Sequence, residues 1–159
     1  MNVINGLPAH IVLIHVLVVL VPLTAVLEIL CGLWPAVRQR LVWLVLALAV
    51  IVVGITPITA GAGQWLYDQE KHHSAVLDRH AELGSWLLYF TVALLVVAIL
   101  LVVIQVREGR AVGRSALLNI VVAFLAVVVG VASTIQIYRI GDAGARAVWG
   151  GQSSESGQH

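Results

Sequence analysis

The chain has 159 residues, of which 60% are hydrophobic and 11% are charged, and its formal net charge is +1. A water-soluble domain of this length has too little interior to hide that much apolar surface. The near-neutral charge gives no reason to expect nucleic acid as a partner. The single cysteine, Cys31, excludes an internal disulfide and a thiolate metal cluster.

Four apolar runs predict four transmembrane helices, because a bilayer core of about 30 Å needs roughly 20 residues of helix. The valine and isoleucine content would favour strands in water, but a segment in hydrocarbon must satisfy its own backbone hydrogen bonds. The sequence therefore predicts an all-α fold, a four-helix transmembrane bundle within residues 1–149, followed by a flexible polar tail at 150–159. The predicted helices cover residues 7–33, 41–60, 83–106 and 116–140.

Pro57 and the glycines after it predict that the second helix ends in an irregular turn. A polar loop is expected to follow at residues 64–82, which hold most of the charged side chains between the second and third runs. This loop and both termini fall at the same end of the predicted bundle.

Basic residues set the predicted orientation, because cytoplasmic loops carry an excess of Lys and Arg. The first and third loops hold five basic residues and a single acid, Glu108, whereas the opposite face has four basic residues diluted by six acids. We therefore expect both termini to lie outside the cytoplasm, with the first helix acting as an uncleaved signal anchor. The five basic residues are Arg38, Arg40, Arg107, Arg110 and Arg114.

Five of the six histidines fall at the predicted outer end of the bundle, and His159 lies in the tail. His72 and His73 belong to the predicted polar loop and are interpreted as solvated residues. His10 and His15 are five residues apart, so they diverge by about 140° around a helix and cannot chelate one metal as an i, i+4 pair can. His15 is the more informative, since it lies roughly 10 Å inside the helix, where an ionisable group is a functional-site candidate.

A haem site is one hypothesis for these histidines. His15 of the first helix would face His80 of the third, with a b-type haem between them, because imidazoles from facing helices are common axial ligands in bundles. His10 is the next candidate ligand. In the alternative interpretation, His10 and His80 are helix-entry residues that bond loop carbonyls, and His15 is a buried hydrogen-bonding residue; both interpretations stay open. A non-haem metal site is a further alternative, in which these three histidines would need a carboxylate such as Asp142 or Glu82.

Glu28 is the acid that falls within a predicted span. It is expected to pair with Arg38 or Arg40 or to extend toward the interface, and a role in a proton path is the alternative. The fourth helix carries a stripe of small and polar residues at alternating spacings of four and three, which lets helix backbones approach closely. Together with Glu28, this stripe gives the hypothesis of an ion or proton conduit. The stripe comprises Asn119, Ala123, Ala126, Gly130, Ser133 and Gln136, and Arg139 continues it toward the outer face.

Three motifs resemble a widespread bacterial family of uncharacterised four-helix membrane proteins, a domain of unknown function. Residues 6–15 (GLPAHIVLIH) are similar to an opening G-x-P-A-H-P-x-x-V-H, and the closing residues 137–150 to an R-x-G-H-x-G-A ending. Arg79, His80 and Gly84 match a central R-H-x-x-x-G. The chain departs from the pattern at Ile11, where proline is usual, and at Asp142, where histidine is common. If that histidine is a ligand in relatives, this chain has lost or altered the site.

The resemblance implies a protein of the bacterial inner (cytoplasmic) membrane. Relatives fused to Rieske iron–sulfur or cytochrome-like domains imply membrane electron transfer as the setting. We therefore expect a small electron-transfer subunit that binds haem b near the outer face and contacts a redox protein. The alternative is a non-catalytic accessory subunit of a larger respiratory-type membrane complex, and a homo-oligomer is also open. The sequence predicts no catalytic residues, since it holds no phosphate loop and no usable nucleophile–base set.

Overall fold

The computed structural model describes residues 3–4, 7–69, 75–110 and 115–149. β1 (Val3–Ile4) and β2 (Leu7–Pro8) form a short antiparallel pair ahead of the first helix. His72, His73 and the predicted tail lie outside the described residues. The four helices are α1 (Ala9–Leu33), α2 (Pro35–Gln69), α3 (Ala75–Gly109) and α4 (Ala116–Trp149).

The helices form an antiparallel bundle in which each packs against its neighbours in sequence, and α4 returns to pack against α1. α1 and α3 also approach each other across one diagonal. We call the end where α1 begins and α4 finishes the terminal end, and the opposite one the Arg38 end. All four helices are long and apolar enough to cross a membrane. The predicted all-α, four-helix transmembrane fold is therefore confirmed.

The helices on either side of the predicted polar loop are longer than the apolar runs that predict them. α2 continues to Gln69 and α3 begins at Ala75, so the prediction of a loop over residues 64–82 is wrong for most of its length. Each of these helices has 35 residues and spans about 52 Å, well beyond a hydrocarbon core of about 30 Å. Hydropathy marks where the hydrocarbon ends, and a helix can continue past that level into water. The Tyr67 hydroxyl joins the two extensions by donating to Asp78 Oδ1 over 2.6 Å.

α2 passes through Pro57 without ending, so the predicted irregular turn is also wrong. Membrane helices tolerate proline because neighbouring groups satisfy the carbonyls that it leaves. Two hydroxyls bond backbone carbonyls one turn earlier on this stretch of α2: Thr56 Oγ1 donates to Val52 over 2.7 Å, and Thr59 Oγ1 to Ile55 over 3.0 Å.

α1 and α4 pack closely through small residues, as the stripe on the fourth helix predicts. A Cβ added at Gly32 would lie 3.1 Å from the Ala123 backbone. A Cβ added at Gly130 would lie 3.3 Å from the carbonyl oxygen of Ala25. Backbones that approach this closely gain dispersion contacts, which drive helix association in lipid.

The buried apolar side chains divide into two groups along the bundle. One lies toward the Arg38 end and includes Cys31, Val45 and Leu101. The other lies toward the terminal end and includes Leu17 and Leu94. Cys31 is thus a buried packing residue, and the segment of α1 between the two groups carries the first candidate site.

Candidate functional site

Glu28 lies on the inward face of α1, between the two apolar groups. The residues Thr24, Glu28 and Cys31 recur at spacings of four and three, which keeps them on one side of the helix. All three are buried, and the side chain of Glu28 is 0% exposed. Neither of its carboxylate oxygens has a hydrogen-bond partner in the part of the chain that the structure describes.

The expected pairing of Glu28 with Arg38 is wrong, because Arg38 makes a different contact. Arg38 is itself buried, and its Nη2 lies 2.8 Å from Glu108 Oε2 on α3. Glu108 Oε1 in turn accepts a hydrogen bond from Asn119 Nδ2 over 3.0 Å. Arg38 was expected in a loop, but α2 begins at Pro35, so Arg38 lies in the first turn of α2 and its side chain is buried in the bundle. This buried polar cluster joins three helices at the Arg38 end.

Small hydroxyl side chains from all four helices are buried at the level of Glu28 and on its terminal side. We call one such residue from each helix the hydroxyl layer: Thr24, Thr56, Thr91 and Ser133. Thr59, one turn further along α2, is also buried. Cross-contacts fix the relative heights of the helices: Ala25 meets Gly130, Leu83 meets Gln136, and Tyr67 meets Asp78. From these registers, and a rise of about 1.5 Å per residue, the four hydroxyls lie within about one helical turn of a common level.

The hydroxyls of this layer differ in their hydrogen bonds. Thr24 Oγ1 donates to the carbonyl of Leu20 over 2.7 Å, and Thr56 and Thr91 make similar bonds within their own helices. Ser133 Oγ is buried and has no partner among the described residues. It is therefore the member of the layer whose hydrogen-bonding capacity is unused.

The next polar groups toward the terminal end connect α3 and α4. Gln136 Nε2 donates to the carbonyl of Leu83 over 2.9 Å. His80 Nδ1 lies 3.1 Å from the carbonyl oxygen of Ile140. The His80 ring packs against α4 at Gly144, where an added Cβ would lie 3.1 Å from His80 Cε1. Polar side chains therefore follow the bundle interior from Glu28 to its terminal end.

The other predicted site residues do not join this interior set. The His15 side chain is exposed on α1, which is diagonal to the α3 helix that carries His80. His10 lies in α1, but its side chain is outside those described. Asp142 is exposed and pairs on its own helix with Arg146 over 3.0 Å. Arg139 is exposed and lines a groove between α3 and α4.

A metal centre was predicted from three histidines and a carboxylate. Within the described residues, no group of three or more His, Cys, Asp or Glu side chains is close enough to hold a metal ion. The predicted set includes His10, whose side chain is not described, so the prediction is not tested as a whole.

Two features of the site were missed from the sequence. Glu108 was the single acid among the basic residues of its end, which is a signal for an ion pair. The hydroxyl layer was not expected because Thr and Ser in apolar runs also occur as ordinary packing residues. Ser133 belongs to the stripe predicted on the fourth helix, and only the registers between helices show that hydroxyls of the other three helices lie near its level.

The fold and its interior define the class: a multi-pass integral membrane protein with four spanning helices and buried polar groups among them. The chain belongs to the family described as "Predicted membrane protein (DUF2231)", whose family model matches residues 6–155. The expected membership in a four-helix membrane family of unknown function is thereby confirmed. No curated protein and no solved structure matches the chain significantly.

Proposed function

We propose that this protein transfers protons within the membrane, with the Glu28 carboxyl as the group that binds and releases them. The observation that carries the proposal is the complete burial of Glu28 with no hydrogen-bond partner among the described residues. Ionisable side chains inside membrane bundles are costly and typically mark ion or proton paths.

The energetics define how such a group works. An unpaired carboxylate in a protein interior costs several kcal/mol even after relaxation. Glu28 therefore holds its proton at rest and releases it only to a neighbouring acceptor or to water that enters the bundle. Hydroxyl groups both donate and accept hydrogen bonds, so they can relay a proton.

The surroundings of Glu28 give the transfer a direction. The hydroxyl layer extends from the level of Glu28 toward the terminal end, and its buried Ser133 Oγ has no hydrogen-bond partner among the described residues. Buried apolar side chains fill the core toward both ends, such as Val45 toward the Arg38 end and Leu17 and Leu94 toward the terminal end. On the terminal side, however, the polar side chains of Gln136 and His80 continue beyond Ser133. Proton exchange is therefore expected to take place through the terminal end.

Proton flux into liposomes tests the proposal. A potassium diffusion potential would drive protons inward, and an internal pH dye would report their entry. The Glu28→Gln variant, which keeps the shape but cannot ionise, is expected to reduce the flux to that of empty liposomes. Asp68→Asn is the matched control, since Asp68 is an exposed carboxyl that accepts from Gln64 over 2.9 Å. Flux that is equal in wild type and Glu28→Gln would overturn the proposal.

Orientation and location belong to the same proposal. Arg40, Arg107 and Arg110 are exposed near the Arg38 end, and basic residues favour the cytoplasmic side. Arg38 leaves this count because Glu108 neutralises it, and Arg146 at the terminal end leaves it because of Asp142. Among the described residues, three arginines at the Arg38 end then compare with two at the terminal end, Arg79 and Arg139. We take the terminal end to face outward from the bacterial cytoplasmic membrane.

A second candidate function, electron transfer through haem b, is favoured by one contact. The bond between His80 Nδ1 and the Ile140 carbonyl is the arrangement that orients ligating imidazoles and fixes their tautomer. His80 would hold the haem iron, together with His10 or His15. A bound haem would supply reversible one-electron transfer to a redox protein or within a larger membrane complex. An accessory subunit without haem would belong to the same kind of complex.

An absorption spectrum tests this second candidate. Protein produced with haem supplied should show a Soret band, and His80→Ala should lose it. Asp142→Ala is the control, because Asp142 pairs with Arg146 on the bundle surface. A colourless preparation under these conditions would remove the haem function and leave the proton function standing.

A further inference from the structure

An open groove of about 670 Å³ lies between α3 and α4 at the terminal end. Its walls change character along the bundle. Leu83, Trp86 and Phe90 line the part nearer the membrane centre. Asp78 and Arg79, at least one turn before Leu83 on α3, line the part nearer water. The groove is therefore amphipathic along its length.

The change from apolar to charged walls coincides with the surface of the hydrocarbon. The apolar run of the third helix begins at residue 83, and the charged residues that α3 contributes to the groove precede it. The rings of Trp86 and Tyr89 are in tilted contact at this level, with centroids 5.5 Å apart. Aromatic side chains of this kind concentrate at the headgroup level of a bilayer. A ligand of the groove would thus extend from the headgroups into the acyl chains.

The charged end of the groove holds both signs. Arg79 and Arg139 contribute two guanidinium groups, and Asp78 and Glu82 contribute two carboxylates. Neither arginine forms an ion pair with any residue in the described ranges. Asp78 accepts a hydrogen bond from the Tyr67 hydroxyl, which holds its carboxylate in place. Charged groups of both signs that form no ion pair among the described residues match a ligand that carries one phosphate and one ammonium group.

We propose that this groove binds phosphatidylethanolamine. The phosphate lies against Arg79 and Arg139, the ammonium group against Glu82 and Asp78, and an acyl chain against Trp86 and Phe90. Phosphatidylglycerol lacks the ammonium that the carboxylates require. Phosphatidylcholine keeps the positive charge but has no N–H donors. The proposal does not depend on Glu28 or on haem.

Binding of defined lipids to the purified full chain tests the proposal. Native mass spectrometry would compare dioleoyl phosphatidylethanolamine, phosphatidylglycerol and phosphatidylcholine at equal concentrations. The first lipid is expected to bind about tenfold more tightly, because it alone offers both N–H donors to the carboxylates and a phosphate to the arginines. Equal binding of all three lipids would overturn the proposal.

Matched variants locate the site. Arg79→Gln and Arg139→Gln are each expected to weaken phosphatidylethanolamine about tenfold, and Glu82→Gln to remove its advantage over phosphatidylglycerol. Arg146→Gln is the control, since Arg146 is exposed on α4 at the same end but pairs with Asp142. An equal loss in the control would show a general charge effect and contradict the site.

Two further measurements test whether the groove binds a whole lipid rather than a soluble headgroup, and whether the acyl chain lies at the apolar end. Soluble phosphoethanolamine at millimolar concentration should not displace the lipid, and displacement would mean that the groove recognises a small polar molecule. Brominated phosphatidylethanolamine should quench tryptophan fluorescence less in Trp86→Phe than in wild type. Undiminished quenching would place the acyl chain elsewhere. All of these substitutions are at exposed positions, and circular dichroism would verify that each variant keeps its helices.

Discussion

Arg38 and Glu108 form a salt bridge of 2.8 Å between α2 and α3, with side-chain exposures of 1% and 12%. The guanidinium also lies 3.5 Å from the carbonyl oxygen of Cys31, so it contacts a third helix, α1. Glu108 holds Asn119 of α4 at the same time. One ion pair thus connects all four helices at the Arg38 end, and its loss affects every interface there.

Removing one partner of this pair should be costly. We expect Arg38→Gln to lower the free energy of unfolding by about 3–5 kcal/mol, because Glu108 is left with an uncompensated, largely buried charge. Unfolding in mixed micelles by increasing sodium dodecyl sulfate, followed by circular dichroism, measures it. Arg40→Gln is the control; Arg40 is exposed two residues away and should change stability by less than about 0.5 kcal/mol. Equal effects of the two substitutions would mean that the pair does not hold the helices together.

Replacing Glu28 should raise the stability of the bundle while it removes proton flux. Replacing a buried polar group that lacks partners by an apolar one is expected to stabilise the bundle, so Glu28→Leu should gain about 1–3 kcal/mol. The same variant should lose proton flux completely. The unfolding assay and the liposome assay measure the two effects on one preparation. If Glu28→Leu were destabilised instead, the carboxyl would have to make a contact that supports the fold.

The contact between α1 and α4 predicts different outcomes for two glycines. Gly130→Ala should destabilise by about 1–3 kcal/mol, because the new Cβ would lie 3.0 Å from Ile29 Cδ1 and 3.3 Å from the Ala25 carbonyl oxygen. Gly54→Ala is the control; a Cβ there meets nothing within 4 Å, and the better helix propensity should add up to about 1 kcal/mol. A loss at both positions would indicate that glycine itself, rather than close packing, matters in these helices.

The orientation can be measured by cysteine labelling. Gln69→Cys at the terminal end should react with a membrane-impermeant maleimide in intact cells, whereas Ser115→Cys at the Arg38 end should react only after permeabilisation. Both positions are exposed, and the native Cys31 is buried and should stay unlabelled. The reverse pattern of reaction would place the termini in the cytoplasm.

The sequence was sufficient for the number and type of the helices, since only a helix satisfies the backbone in hydrocarbon over such long apolar runs. It was insufficient for their ends. Residues 64–69 and 75–82 are polar enough for a loop, and their helical state depends on contacts across the bundle, such as Tyr67 with Asp78. Hydropathy contains no information about those contacts.

The candidate site was partly predictable for a similar reason. Helical phase and depth were enough to single out Glu28, but its partner was assigned to the nearest arginine in sequence. The actual partner of Arg38 is an acid far along the chain. The hydroxyl layer depends on the relative heights of four helices, which no single helix specifies.

The distance in sequence between Arg38 and Glu108 also constrains how the protein is made. The carboxylate that neutralises the guanidinium lies 70 residues further along the chain. During synthesis the first helical hairpin therefore reaches the membrane with an unmatched positive charge, which headgroup phosphates can hold at the surface until the second hairpin emerges. Burial of Arg38 is then a late step of folding, because Glu108 lies at the end of the third helix. The first two helices are expected to reach their final depth in the membrane only after the third helix has been synthesised.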